Sequence, residues 1–183
     1  MRKNRIRLKI CVKLKQMNKN KATMNIRLLL TCVFTMSSLL STASFAETVR
    51  APLAEKRAIF KAAGFQFHQN KWQSECGEPT LELYQDINHD RLPEAIVSSA
   101  DTGCYGLTGM GFVLLSKTAQ GVWRVRYDGT GVPELLKSTG KNRMPDVSVG
   151  GPGFCFPVLR WDGSNYRFHR YEYEGKACQI GPP

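Results

Sequence analysis

Acidic residues are missing from the first 46 positions, which hold ten of the 26 Lys and Arg and none of the 15 Asp and Glu. The other 137 residues carry 16 bases against 15 acids, a net charge of +1. The formal charge of +11 therefore belongs to the leader. The body has no basic excess of the kind that marks a nucleic-acid partner. Long apolar runs are also scarce. "LLLTCVFTMSSLL" (28–40) has 13 residues, short of the ~20 that a spanning helix needs. No C-x-x-C or H-x-x-x-H spacing occurs, which argues against a zinc site. There is no G-x-S-x-G elbow, P-loop, G-x-G-x-x-G or metalloprotease helix. No catalytic residue is assigned on motif grounds. His68, His89 and His169 stand alone in the sequence, and pairing one with Asp101 or Asp128 has no local support.

What is present in the leader reads as an export signal. A basic stretch ending at Arg27 precedes the apolar run, and "STASFA" places Ser44 and Ala46 at the small positions before a cleavage point. Met1, Met17 and Met24 are alternative starts. The expectation is a signal peptide over 1–46, a periplasmic or secreted chain from Glu47, and no transmembrane segment after cleavage.

Residues 47–183 suit one domain with its own core. They contain four cysteines, Cys76, Cys104, Cys155 and Cys178, an even number that argues for two disulfides in an exported chain. "LAEKRAIFKAAG" (53–64) reads as a helix with Gly64 as its stop. Beyond it lie short β-rich runs punctuated by Gly, Asp, Asn and Pro: "TLELYQDI", "EAIVSSA", "GFVLLSK", "VWRVRYD", "FPVLRWD" and "NYRFHRYEYE". "VPELLKS" (132–138) reads as a short helical turn, and "GLTGMG" (106–111) as a surface loop. The expected fold class is mainly β (α+β): an antiparallel sheet built from two related β-units with one N-terminal helix, linked by disulfides.

The two units come from an internal match. "DRLPEAIVSS" (90–99) parallels "NRMPDVSVGG" (142–151), each followed by a cysteine, an apolar strand, a turn, and then "WRVR" or "YRFH". Period-two facing places Trp123, Val125, Tyr166 and Phe168 inward and Arg124, Arg126, Arg167 and His169 outward. Tyr171 and Tyr173 break that alternation, which points to a bulge near Arg170 or an exposed aromatic patch. Cys76 and Cys104 lie nearly equidistant from the 88–91 turn. Cys155 and Cys178 flank the 162–165 turn with a small displacement. The expected bridges are 76–104 and 155–178; a 104–155 bridge is the alternative.

Two surfaces and one loop are candidate sites. Arg124, Arg126, Arg160, Arg167, His169 and Arg170, with Tyr171 and Tyr173, could form a basic, aromatic sheet face for an acidic protein, glycan or phosphate. "DTGCYGLTGMG" and "GGPGFC" are cysteine-anchored loops suited to recognition. "DINHDRLPE" places Asp86, Asn88, Asp90 and Glu94 at positions one, three, five and nine, an oxygen set that calcium accepts. This turn resembles the Asp-rich strand–loop–strand turn of FG-GAP and VCBS-type β-repeats, whose implied ligands are these four residues. Arg91 stands where that pattern has glycine. Over "DINHDRLPEAIV", "GCYGLTGMGFVLLSK" and "GGPGFCFPVLRW" the chain also resembles an uncharacterised family of small exported proteobacterial proteins, which implies an exported, cysteine-containing β-domain and no activity.

The function expected is that of a small soluble periplasmic binding protein for an envelope protein or cell-wall component, with an inhibitor or immunity-type protein as a subclass. The alternatives are an envelope hydrolase and a calcium-stabilised module of VCBS or FG-GAP kind. No cofactor is expected unless calcium occupies the 86–94 turn.

Overall fold

The computed structural model describes residues 49–180. The expected leader, 1–46, lies outside the described residues. Among the described residues no helix is long and apolar enough to cross a membrane.

The first element, α1 (Leu53–Ala62), follows Pro52, whose fixed φ suits a helix entrance. Glu55 in its first turn and Lys61 in its last complement the helix dipole. Gly64, at φ 94°, ends it, with Phe65 N–H bonded back to the Phe60 carbonyl at 3.0 Å. Ile59 and Phe60 are the buried face. Glu55 accepts from Lys117 Nζ at 2.6 Å and from Trp123 Nε1 at 2.9 Å, which ties the helix to the sheet beneath it.

A hairpin, β1 (Gln66–His68) and β2 (Lys71–Gln73), comes next. Four strands then form an antiparallel meander: β3 (Thr80–Gln85), β4 (Glu94–Ala100), β5 (Met110–Lys117) and β6 (Trp123–Thr130). Between β4 and β5 lie a single helical turn, α2 (Thr102–Tyr105), and a 3-10 turn (Gly106–Thr108). A second antiparallel meander contains β7 (Val132–Thr139), β8 (Pro145–Gly150), β9 (Phe156–Trp161), β10 (Tyr166–Tyr173) and β11 (Lys176–Ala177).

The layers follow from which residues are apolar on which side. Ala95, Val97, Val113, Leu115 and Trp123 face α1 in one core. Ile96, Phe112 and Leu114, on the opposite side of the first sheet, meet Val147, Val149, Leu159 and Trp161 of the second sheet in another. The first sheet is thus a middle layer with both faces covered, and "EAIVSSA" is buried continuously rather than alternately from Glu94 to Ser99. Each fully buried large side chain such as Phe112 contributes about 1.5–3 kcal/mol by leaving water.

The architecture is mainly β, with antiparallel sheets, two short helices and two disulfides. Cys76–Cys104 and Cys155–Cys178 have Cα separations of 5.7 and 5.8 Å. Three local expectations change. The segment 132–138 is strand β7 rather than a helical turn. Gly131, at φ 139°, turns the chain from β6 into the second sheet, where β7 pairs with β8, and this pairing outweighs local helix preference. A Cβ at Gly131 would press on Val149 and the Gly150 carbonyl. Val125 and Phe168 are exposed rather than inward. Val125 lies on β6, the edge of the first sheet, beside a register shift in the β5–β6 ladder. Phe168 flanks the bulge between Phe168 and Arg170 that the tyrosine pattern suggested.

Candidate functional site

Two loops expected to be recognition surfaces lie side by side. The first begins with Asp101, whose carboxylate accepts from Cys104 N–H at 2.9 Å and whose own N–H bonds the Gly109 carbonyl at 3.1 Å. These bonds close a compact turn that the 76–104 disulfide fixes to the entry of β3. The second runs from Gly151 to Cys155, with Cys155 in a left-handed conformation (φ 65°) and buried. Its disulfide partner, Cys178, donates its N–H to the Tyr171 carbonyl at 3.2 Å. A Cβ built on Gly151 would stand 3.7 Å from Thr108 Oγ1, so the loops adjoin.

Their tips are apolar and face water. Leu107 is 95% exposed and Phe154 73% exposed. Tyr173 stands edge-on to Phe154 at a centroid distance of 6.3 Å and packs on Phe156 at 6.0 Å. Loops held by disulfides lose little entropy on binding, and clustered exposed apolar and aromatic side chains mark interaction surfaces.

The arginines do not share one face, because the two β-units form two sheets. Arg124 and Arg126 are on β6 of the first. Arg126 turns between the sheets: it donates to Ser116 Oγ at 2.8 Å and to the Ser164 carbonyl at 3.2 Å, and its guanidinium lies 5.6 Å from the Trp161 ring centre. Arg160 and Arg170 converge on Asp146, which is fully buried. Arg160 grips it through Nε (2.9 Å) and Nη2 (2.8 Å), Arg170 Nη1 reaches it at 3.0 Å, and Ser138 Oγ donates at 2.7 Å. Burial would raise the Asp146 carboxyl, but the hydrogen bonds from Arg160, Ser138 and Arg170 outweigh it and hold it well below the usual range. Arg170 also pairs with Glu172. Arg167, beside Asp162, and His169, at the bulge, border a shallow basin with Lys141 and Phe168. Of the expected stripe, then, Arg160 and Arg170 hold the sheet together, while Arg124, Arg167 and His169 remain exposed.

The 86–94 turn bonds to itself. Asp86 accepts from Asp90 N–H (3.1 Å) and Arg91 N–H (2.8 Å), and Asp90 accepts from Leu92 N–H (2.8 Å) and Asn88 Nδ2 (3.0 Å). Glu94 accepts from Ile87 N–H at 3.2 Å. Arg91 takes the left-handed conformation at φ 74° where the resembling pattern has glycine. Burial, and then the charges of Asp90 and Asp86, push the Glu94 carboxyl up to about 7. Among the described residues no three His, Cys, Asp or Glu side chains are grouped to hold a metal. The Asp86, Asn88 and Asp90 oxygens accept from the turn's own N–H groups and from the Asn88 amide, the Asx-type bonding by which Asp and Asn shape a tight turn.

The histidines are dispersed. His68 meets the Gln66 amide at 3.0 Å on β1, and the His89 carbonyl accepts from Arg143 at 3.3 Å. Sequence reasoning missed Asp146 and Ser138. The signal for Asp146 was available, since an acid inside an apolar strand needs partners and arginines were at hand. Comparison with protein-family models, with curated proteins and with solved structures finds no match for this chain.

Proposed function

We propose that the chain is a small exported binding protein that recognises an envelope protein through the adjoining loops 101–111 and 150–156. An inhibitor or immunity-type role fits its size, its two disulfides and its apolar loop tips. The observation that carries this reading is the exposure of Leu107 and Phe154 on two neighbouring, disulfide-anchored loops. Leaving such side chains in water forgoes about 1.5–3 kcal/mol each, a gain that burial against a partner would recover. Arg124 and Arg167, both exposed, would add long-range attraction for an acidic partner and speed encounter.

The test is capture from envelope extract with the oxidised protein, followed by reconstitution with the purified partner. One protein should be retained in stoichiometric amount and lost when Leu107→Asp and Phe154→Asp are combined. Arg124→Glu with Arg167→Glu should slow association more than it speeds dissociation. Equal retention by the loop double variant would rule out the loop surface.

A further inference from the structure

A second surface of different character lies on the helix side of the first sheet. With ten residues, α1 is about 15 Å long, whereas the eight residues of β5 extend about 26 Å. The helix therefore covers Ala95, Val97, Val113 and Leu115 and leaves the far ends of β4, β5 and β6 open. A cleft of about 600 Å³ occupies that space, within the ~300–1,000 Å³ typical of small-molecule sites.

The walls follow from strand periodicity. In the β1–β2 hairpin Phe67 faces Trp72 across the ladder, and Trp72 packs against Phe60 of α1 at 5.7 Å. The alternate residues Gln66, His68 and Gln73 must point the other way, and all three line the cleft. On the sheet, Ser99 pairs with Gly111 and Val113 with Asp128, which brings the Ser99 hydroxyl and the Asp128 carboxylate to the same wall. Tyr105 of α2 lies over Gly111, where any Cβ would overlap its ring, and its hydroxyl is 2.7 Å from Ser99 Oγ. Glu75 and Ser74 complete the rim, braced by the Cys76–Cys104 disulfide.

The chemistry of this lining is selective. It has amides, hydroxyls, an imidazole and two carboxylates, and none of its described residues is Lys or Arg. An anionic ligand would meet Glu75 and Asp128, while Lys71, which faces the same way opposite His68, is outside the lining and is paired with Glu78 at 3.1 Å. A hydroxyl-rich neutral ligand would find acceptors in the carboxylates, mixed donors and acceptors in Gln66, Gln73 and Ser99, and an aromatic surface in Tyr105 for its C–H face. We propose that this cleft binds a neutral saccharide. The cleft takes Tyr105 and Gly111 from the base of the 101–111 loop, whereas the exposed tips Leu107 and Phe154 are not in its lining, so different substitutions test the two readings.

The test uses the oxidised protein and a panel of N,N′-diacetylchitobiose, maltose, cellobiose and trehalose, with glucuronate as the anionic probe. Ligand-observed NMR and calorimetry should detect at least one neutral sugar with a Kd of about 5 mM or tighter, and glucuronate about ten-fold weaker or not at all. Gln73→Ala and Asp128→Ala, both exposed positions, should each weaken the sugar about ten-fold. Gly111→Ala should do the same by displacing Tyr105, with circular dichroism confirming the fold. Leu107→Asp with Phe154→Asp should leave sugar binding intact, which separates the two readings. No binding of any neutral sugar, preference for glucuronate, or affinities unchanged in the cleft variants would overturn the proposal.

Discussion

Glu94 and Asp146 occupy matching places in the two β-units, each directly after a proline at the head of a strand, yet they meet opposite fates. Both follow an arginine in the left-handed region, Arg91 at φ 74° and Arg143 at φ 61°. Both side chains are buried. Glu94 lies on the side of β4 that carries Ile96 toward the second sheet, whereas Asp146 lies on the side of β8 opposite Val147, away from the intersheet core. The strands match in sequence and differ by one residue in facing, which exchanges every side chain between faces. Asp146 consequently meets Arg160, Arg170 and Ser138. Glu94 meets an apolar interior, the carboxylates of Asp86 and Asp90, and Arg126 as the opposing charge. At the sequence positions matching Arg160 and Arg170, the first unit has Leu115, buried beneath α1, and Tyr127, half-buried in the intersheet core. A repeated acid is therefore not a repeated role; the layer that covers the strand decides whether its charge is held or resisted.

The sharpest way to break this contrast is to remove the well-held acid. Asp146→Ala would leave two guanidiniums without their shared partner and should cost about 2–4 kcal/mol, since Arg160 and Arg170 keep some contact with water. Urea unfolding at pH 7 measures this, and a loss of under about 0.5 kcal/mol would show that the cluster is no stronger than an exposed pair. The opposite change should stabilise. A carboxyl raised from 4.5 to about 7 corresponds to about 3 kcal/mol of resistance to ionisation, reduced by partial water access to about 1–2 kcal/mol. Glu94→Gln should therefore gain that amount at pH 8 and almost nothing at pH 4, where the wild-type carboxyl is already protonated.

The two acids also set opposite slopes in the wild-type stability curve. Between about 4.5 and 7 the folded state binds the Glu94 proton more tightly than the unfolded state, so stability falls as pH rises through that window. Asp146 is depressed, so its contribution is present above the ordinary Asp range and is lost as pH falls below about 4 toward its folded value. Thermal melts across pH should show a maximum between about 4 and 5, and Glu94→Gln should flatten only the alkaline side. Arg126→Ala should cost about 1 kcal/mol through its lost ring and hydroxyl contacts. It should also move the titration of Glu94 higher, measurable by carboxyl NMR. The smallest effect belongs to the exposed Arg167–Asp162 pair: Arg167→Ala, which leaves the Asp162 bonds to the Ser164 and Asn165 N–H groups in place, should leave the melting temperature unchanged within error.

Much of the fold was legible because it is local. The helix before Gly64 announces itself by helix formers and a stop, and the strands by β-rich runs between turn residues. Register favoured the observed cysteine pairs, and the turns at 88–91 and 162–165 do place Thr80 opposite Ser98 and Arg167 opposite Arg160. Cys178, however, reaches Cys155 because β11 folds back on β10 and sets the Cys178 N–H against the Tyr171 carbonyl. Strands of three residues, as in β1 and β2, are too short to display a period, so the hairpin that walls the cleft gave no signal. Of the candidate surface, the loops were legible as loops, but their adjacency at Gly151 and Thr108 was not. The arginine stripe assumed one sheet for both units, and Gly131 instead carries the chain into a second.

By itself, the order of residues pointed to α1, to six of the strands and to the antiparallel class. Each of these is governed by chemistry within a turn or a hairpin, where neighbours in sequence are neighbours in space. Tertiary structure alone decided that the first sheet is covered on both faces, that matching acids look in opposite directions, that two arginines serve the interior, and that a polar cleft remains past the end of α1. Those outcomes depend on which face of a strand meets another layer and on how far a helix reaches, and neither is specified until the layers are packed.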